Sequence, residues 1–367
     1  MDLSRLIGRT LAIQAIPSPT FHEGRRAAYL EAEFRVAGLE RVEIDSAGNL
    51  YGVVAGGGGL PVIITAHLDT VFEEEANVEA RLEGDRLVGP GVGDNAIALA
   101  ALIELADDLP SAELPGDVWL VANVCEEGLG NLQGMRRVVS RFGRDIAAYI
   151  CLEGMALGHI YHRALPVRRY RITAKTSGGH AWIHAGRASA IHTLLRLGYD
   201  LLAVPRKGNG RTSLNVGLIS GGTTINTIAH SAWMELDLRS ESQEALEALS
   251  NQVNAHVKQH SGHDVAIEVV TIGERPGGGI SEGHPLVLAA QRALNDAGEA
   301  RVVLEVGSTD ASIPLSLGLP GICVGITRGG EAHSLQEFVE IQPVERGYKS
   351  VLDLTRAALK LGEGHAV

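Results

Sequence analysis

The chain has 367 residues and a formal net charge of −12, with hydrophobic residues at 45% and charged residues at 21%. That length exceeds one comfortable core and points to about two domains. The acidic balance, without a basic run, lacks the electrostatic footprint of a nucleic-acid or anionic-membrane binder. Three cysteines, Cys125, Cys151 and Cys323, are far apart and odd in number, which argues against a disulfide framework and against a CxxC metal or redox motif.

The N-terminus, MDLSRLIGRTLAIQAIPSP, has no apolar run long enough for a signal peptide, and no segment approaches the ~20 apolar residues of a membrane span. A cytoplasmic location is therefore expected. Residues 3–15 read as a short amphipathic helix stopped by Pro17 and Pro19, and a second helix runs from Glu23 to Ala37 before Gly38. RVEIDSAGNLYGVVAG reads as a hairpin around Ser46–Asn49. Next comes PVIITAHLDT at 61–70, a buried parallel strand that ends on His67, Leu68 and Asp69. Catalytic groups in open α/β sheets gather where such strands end.

Three further strand or loop ends deliver acids. GPGVGD delivers Asp94 just before a long apolar helix, DVWLVANVCEEG delivers Glu126 and Glu127, and AAYICLEG delivers Glu153. Each acid has an ordinary reading as well: Asp94 as a helix N-cap, the others as solvated loop residues. Their repetition along one expected sheet edge favours a shared site.

Residues 164–275 change character. Their pattern of strand, helix, two strands, helix and strand is the ferredoxin-like βαββαβ order, bordered by ALP at 164–166 and by the Gly- and Pro-dense GERPGGGISEGHP at 273–285. The α/β pattern resumes with a helix from Pro285, the strand RVVLEVG, GSTDAS, the strand GICVGIT, the loop RGGEAHSLQEFVE and a helix from Val344 to Leu361.

The polar set is thus His67, Asp69, Asp94, Glu126, Glu127, Glu153 and His333. Imidazoles and carboxylates without thiols suit borderline-hard divalent metals, and one carboxylate can bridge two ions. A two-metal site activates a water and polarises a substrate carbonyl, while adjacent Glu126 and Glu127 can divide the work of base and ligand.

HLDT at 67–70, GVGDN at 91–95, EEG at 126–128, LEG at 152–154, GGH at 178–180, NVGLISGGTTINTIA at 215–229 and AHSLQE at 332–337 occur in this order. Together they resemble the dinuclear zinc exopeptidase and aminoacylase family, which includes peptidase T, glutamate carboxypeptidase and acetylornithine deacetylase. The resemblance covers nearly the whole chain. It implies an α/β fold: a catalytic zinc-exopeptidase-like α/β domain at 1–163 and 276–367, with a ferredoxin-like α+β lid or dimerisation domain inserted at 164–275.

The same resemblance implies that His67, Asp94, Glu127, Glu153 and His333 bind two Zn2+ ions, with Co2+ or Mn2+ as substitutes and Asp94 bridging. Asp69 would orient His67, Glu126 would be the general base, and a cis peptide would follow Asp94. The lid is expected to close on substrate and to form a homodimer. His180, in competition with His184, would stabilise the developing oxyanion, and Asn226 and Arg239 would lie near the substrate, although Arg239 also reads as an exposed strand residue. The chain departs from many relatives at Asn95, Ala96 and Ile97, expected to alter the pocket wall, and at Glu153, where others have Asp. Ser308, Thr309 and Asp310 read as a substrate-side loop or simply as a turn.

The expected activity is hydrolysis of an amide in short peptides by an exopeptidase. The alternatives are a deacylase for N-acyl amino acids and a non-catalytic metal- or ligand-binding protein of the same fold. A thiol hydrolase using Cys125 or Cys151 would need a partner histidine.

Overall fold

A strand buried on both faces must be largely apolar on both, and Val62, Ile63, Ile64 and Ala66 meet that demand in the run that ends on His67. The computed structural model describes residues 1–74, 79–109, 114–205 and 210–363. Its residues form two compact units, Met1–Ala164 with Gly278–Val367, and Leu165–Gly277.

In the first unit, helices α1 (Leu3–Gln14) and α2 (Gly24–Val36) precede strands β1 (Glu40–Ile44), β2 (Leu50–Val54) and β3 (Gly59–His67). Helix α3 (Ile97–Asp108), strand β4 (Gly116–Asn123), helix α4 (Gln133–Phe142) and strands β5 (Ala148–Glu153) and β6 (His159–Ala164) follow. The second unit contains β7 (Val167–Thr176), α5 (Ala190–Ala203), β8 (Thr212–Gly221), β9 (Ser231–Ser240), α6 (Gln243–His260) and β10 (Val265–Arg275). The chain then returns to the first unit through α7 (Pro285–Asp296), β11 (Val303–Gly307), β12 (Gly321–Gly325) and α8 (Val344–Glu363).

The main sheet of the first unit runs β1-β2-β4-β3-β5-β12-β6, with β11 alongside β6. At its centre β3 lies parallel to β4 and β5, and β12 is parallel to β5. Side chains alternate between faces, as the pleat requires. Val62, Ile64 and Ala66 of β3 and Val118 and Leu120 of β4 pack with residues of α1, α2, α3, α7 and α8. Ile63, Trp119 and Val121 pack on the other side with Met135 and Val138 of α4. Covering both faces leaves the carboxyl ends of the parallel strands as the open edge, and three of them carry the candidate site.

The second unit is a four-stranded antiparallel sheet ordered β8-β9-β7-β10 under α5 and α6, the ferredoxin-like arrangement that its sequence pattern predicts. Its core is built by period: Tyr170, Ile172 and Ala174 alternate along β7, while Leu194, Leu197 and Leu201 recur along α5. Among the described residues, no helix is long and apolar enough to cross a membrane.

Candidate metal centre

The strand β3 ends on His67, which is 1% exposed. Its Nε2 lies 2.9 Å from Asp94 Oδ1 and 3.7 Å from Glu153 Oε2 at the end of β5. From the other side, His333 Nε2 lies 3.1 Å from Asp94 Oδ2 and 3.1 Å from Glu127 Oε1. Ligand atoms of His67, Asp94 and Glu127 all fall within 4.8 Å of one another. The structure therefore brings together His67, Asp94, Glu127, Glu153 and His333, residues 266 positions apart at the extremes, with Asp94 between the two imidazoles.

The electrostatics describe a seat for a cation. Burial works against protonating His67, but Asp69, Asp94 and Glu153 overcome it and raise its pKa well above the ordinary histidine value. His333 is pushed up to about 10 by its contacts with Asp94 and Glu127. Burial pushes the Asp94 carboxyl up, yet His333 and His67 hold it below the usual carboxylate range. Glu153, where burial dominates, is pushed up to about 7. Three carboxylates facing two imidazoles draw positive charge from whatever supplies it, and their oxygen and nitrogen donors fit a divalent metal.

The support behind this cluster goes beyond the sequence expectation at Asp69. The nearest partner of His67 Nδ1 is the Asp69 main-chain carbonyl at 3.0 Å, and the Asp69 carboxylate stands at 3.5 Å. A proton on Nδ1 donated to that carbonyl leaves Nε2 as the ligating nitrogen. Although β3 ends at His67, the Asp69 carboxylate still lies beside the imidazole and helps to raise its pKa. The same carboxylate also reaches the next loop: Oδ1 accepts the Glu126 N–H at 2.9 Å, and Oδ2 accepts the Glu127 N–H at 2.9 Å and the Thr20 hydroxyl at 2.9 Å. Asp69 thus fixes the backbone of the paired acids. Both Glu126 and Glu127 are buried, and Cys125 just before them adopts φ +58°.

Asp94 lies in a kinked turn, Val92–Ala96, rather than at a helix N-cap, and the peptide Asp94–Asn95 is cis. Asn95 corrects an expectation. It does not form a pocket wall: it is fully buried, donates to the Leu152 carbonyl at 2.8 Å and accepts from the Gly154 N–H at 3.0 Å. It therefore ties the Asp94 turn to the end of β5 on both sides of Glu153.

Glu337 has no role in the sequence reading, although it closes the motif AHSLQE. Its buried carboxylate accepts the Gly93 and Asp94 N–H groups at 2.8 and 2.9 Å, and burial followed by the charge of Asp94 pushes it up to about 7. The signal available in the sequence was its place four residues after His333. Asp310 accepts from Asn123 at 2.7 Å and is buried, and Thr309 and Ser312 close a turn beside it.

Within the inserted unit, His180 and Asn226 are exposed and belong to facing segments, with the Ala181 N–H donating to the Asn226 carbonyl at 2.9 Å. His184 accepts from the His180 N–H at 2.9 Å, so both histidines share one loop. Arg239 is committed to Asp237 at 2.7 Å. The cysteines are all buried. Burial, then the charges of Glu23 and Asp69, push the Cys125 thiol up to about 12, and burial pushes Cys151 well above the ordinary thiol value. Neither is poised as a thiolate nucleophile.

The family model for peptidase family M20/M25/M40 matches residues 63–357. The chain belongs to this family. Succinyl-diaminopimelate desuccinylase of Corynebacterium glutamicum is 26% identical over 340 residues, 90% of each chain. Carboxypeptidase G2 of a Pseudomonas species is 27% identical over 349 residues, 88% of this chain and 82% of the relative. The crystal structure of a tripeptidase from Staphylococcus aureus superposes with a TM-score of 0.81 at 21% identity, covering 98% of this chain and 99% of the other. The family is one of dinuclear metal-dependent exopeptidases and aminoacylases, and this M20 chain is a metal-dependent hydrolase of amide bonds in peptides or acyl amino acids.

Proposed function

We propose that this M20 hydrolase is a cytoplasmic exopeptidase on short peptides that uses two Zn2+ ions held by His67, Asp94, Glu127, Glu153 and His333, with Asp94 shared. The observation that carries the reading is the division of Asp94: one carboxylate oxygen addresses His67 and the other addresses His333, as a bridging ligand requires. The donor set of two imidazoles and three carboxylates fits zinc, and also Co2+ or Mn2+.

When bound, the metal pair supplies Lewis acidity that makes a water nucleophilic and draws electron density from the scissile carbonyl. Glu126 takes the proton from the attacking water and returns it to the leaving nitrogen. Asp69 keeps Glu126 and Glu127 in register by holding both of their N–H groups. Glu337 and Asn95 do the same for the Asp94 turn. His180, Asn226 and Arg239 are assigned to substrate binding by family resemblance, with His180 donating to the developing oxyanion.

A homodimer through the inserted unit is part of the proposal. Leu195, Tyr199 and Leu202 form one exposed stripe on α5, and Leu218 and Ile219 are exposed on β8, which among the described residues pairs only with β9. Deacylation of N-acyl amino acids is the second reading, favoured by the desuccinylase relative.

The test is mass-spectrometric turnover of a pooled set of di- and tripeptides and N-acyl amino acids, with and without a chelator. Chelator-sensitive loss of peptides is expected; loss of N-acyl amino acids alone would establish the deacylase instead.

A further inference from the structure

Large apolar side chains left exposed beside a reactive centre ask for an occupant. Three of them, Phe21, Val71 and Leu129, are 54%, 41% and 49% exposed, and all line one hollow of about 630 Å3 in the larger unit. Phe72 lines it too, and so does Glu127, the carboxylate that faces His333. The hollow therefore borders the metal centre through Glu127.

Phe21 is displayed there at a cost. Its φ of +75° lies in the left-handed region that a bulky residue rarely enters. The strained backbone is held by a buried anchor: Glu23 Oε1 accepts the Phe21 N–H at 3.0 Å and the Cys125 N–H at 3.0 Å. One carboxylate thus fixes both the aromatic rim and the residue preceding Glu126. On the outer side, the hollow is lined by Glu73 and Glu74, with Arg25 3.4 Å from Glu74, and by His22 beside Thr20 and Thr70; the two carboxylates outnumber the one imidazole. Such a rim repels an anionic group.

We infer that this hollow is the specificity subsite for the residue beside the scissile amide, and that it takes an apolar or aromatic side group carrying no negative charge. The inference rests on reading the site as an amide hydrolase and names its substrate class. Phe21 and Leu129 form the apolar walls, and the acidic rim excludes carboxylate-bearing side chains and dicarboxylic acyl groups.

The test is steady-state kinetics on X-Gly and Gly-X dipeptides and N-acetyl-X, where X is Gly, Leu, Phe or Glu, using the metal-loaded protein. The wild type is expected to prefer Leu and Phe over Gly and Glu. Phe21→Ala and Leu129→Ala should each cut the Phe-over-Gly ratio of kcat/KM by about tenfold, and Phe21→Leu should restore most of it. An unmoved ratio in both Ala variants, or a wild-type preference for Glu, overturns the subsite. Saturation-transfer NMR with phenylpropionamide separates this result from the activity: if no amide is cut, the hydrolase reading fails, yet binding lost in Phe21→Ala still supports the subsite. Equal binding by both proteins overturns it.

Discussion

In the inserted unit, charged side chains face each other directly across strands: Arg169 meets Asp237 at 3.0 Å, Arg171 meets Glu235 at 2.5 Å, and Arg168 meets Glu274. These are ladder pairs on a regular sheet, each formed by residues that the register places opposite one another. At the strand ends of the larger unit, acids cluster around two imidazoles, and the supporting carboxylates of Asp69 and Glu337 are held by backbone N–H groups of distant loops. Every non-glycine residue with positive φ among the described residues also belongs to that larger unit: Phe21, Arg41, Cys125, Asn131, Leu132, Glu331 and His333. Two of these, Cys125 and His333, lie at the metal centre itself. The difference teaches where this fold spends its irregularity. Sheet-borne charges need only the strand period, whereas a metal centre needs side chains aimed against the local preference of the chain.

The sharpest way to break the comparison is to remove the metal. Chelation should abolish turnover completely, with Zn2+ restoring it, while the circular-dichroism signature of the inserted unit's sheet and helices persists; turnover that survives exhaustive chelation would contradict a metal centre. The next largest effect belongs to Asp69→Ala, which leaves the Glu126 and Glu127 N–H groups without their carboxylate. It should lower kcat by about 100-fold or more while most of the substrate affinity remains, as measured by steady-state kinetics.

Glu337→Ala removes the acceptor for Gly93 and Asp94 and should weaken metal binding by about 10–100-fold, read by competition with a chromogenic chelator. An unchanged affinity would show that the Asp94 turn holds its shape alone. The smallest effect lies in the ladder. Burial pushes the Asp237 carboxyl up, but Arg239 and Arg169 overcome it and depress its pKa. The charged form is thus favoured by folding, so the contribution is full above the unfolded carboxylate pKa and is lost as pH falls through the lower folded value. Asp237→Asn should cost about 1 kcal/mol at neutral pH and flatten the acid limb of a thermal-unfolding profile, with turnover at neutral pH much less affected than in Asp69→Ala.

The contrast also explains what could be read in advance. The ladder and its ferredoxin-like order follow from alternation and helical period, which are local signals. His67, Asp94, Glu126, Glu127 and Glu153 were legible because strand or loop ends deliver them, and the ordered motifs, AHSLQE with His333 among them, resemble one family. Glu337 and Asn95 were not, because they act on backbone groups: Glu337 on Gly93, 244 residues away, and Asn95 on Leu152 and Gly154. No periodicity records such a partner. The sequence pairs Asp69 with His67, beside which its carboxylate lies, but its hold on the Glu126 and Glu127 N–H groups has no signal in the strand period.

The most direct test of the central claim is Glu126→Gln, assayed for turnover and for metal content on the same sample. The account predicts two metal ions per chain retained and turnover reduced by about 100- to 10,000-fold, the range for a lost general base. Turnover within a few-fold of the wild type, with metal retained, would contradict it.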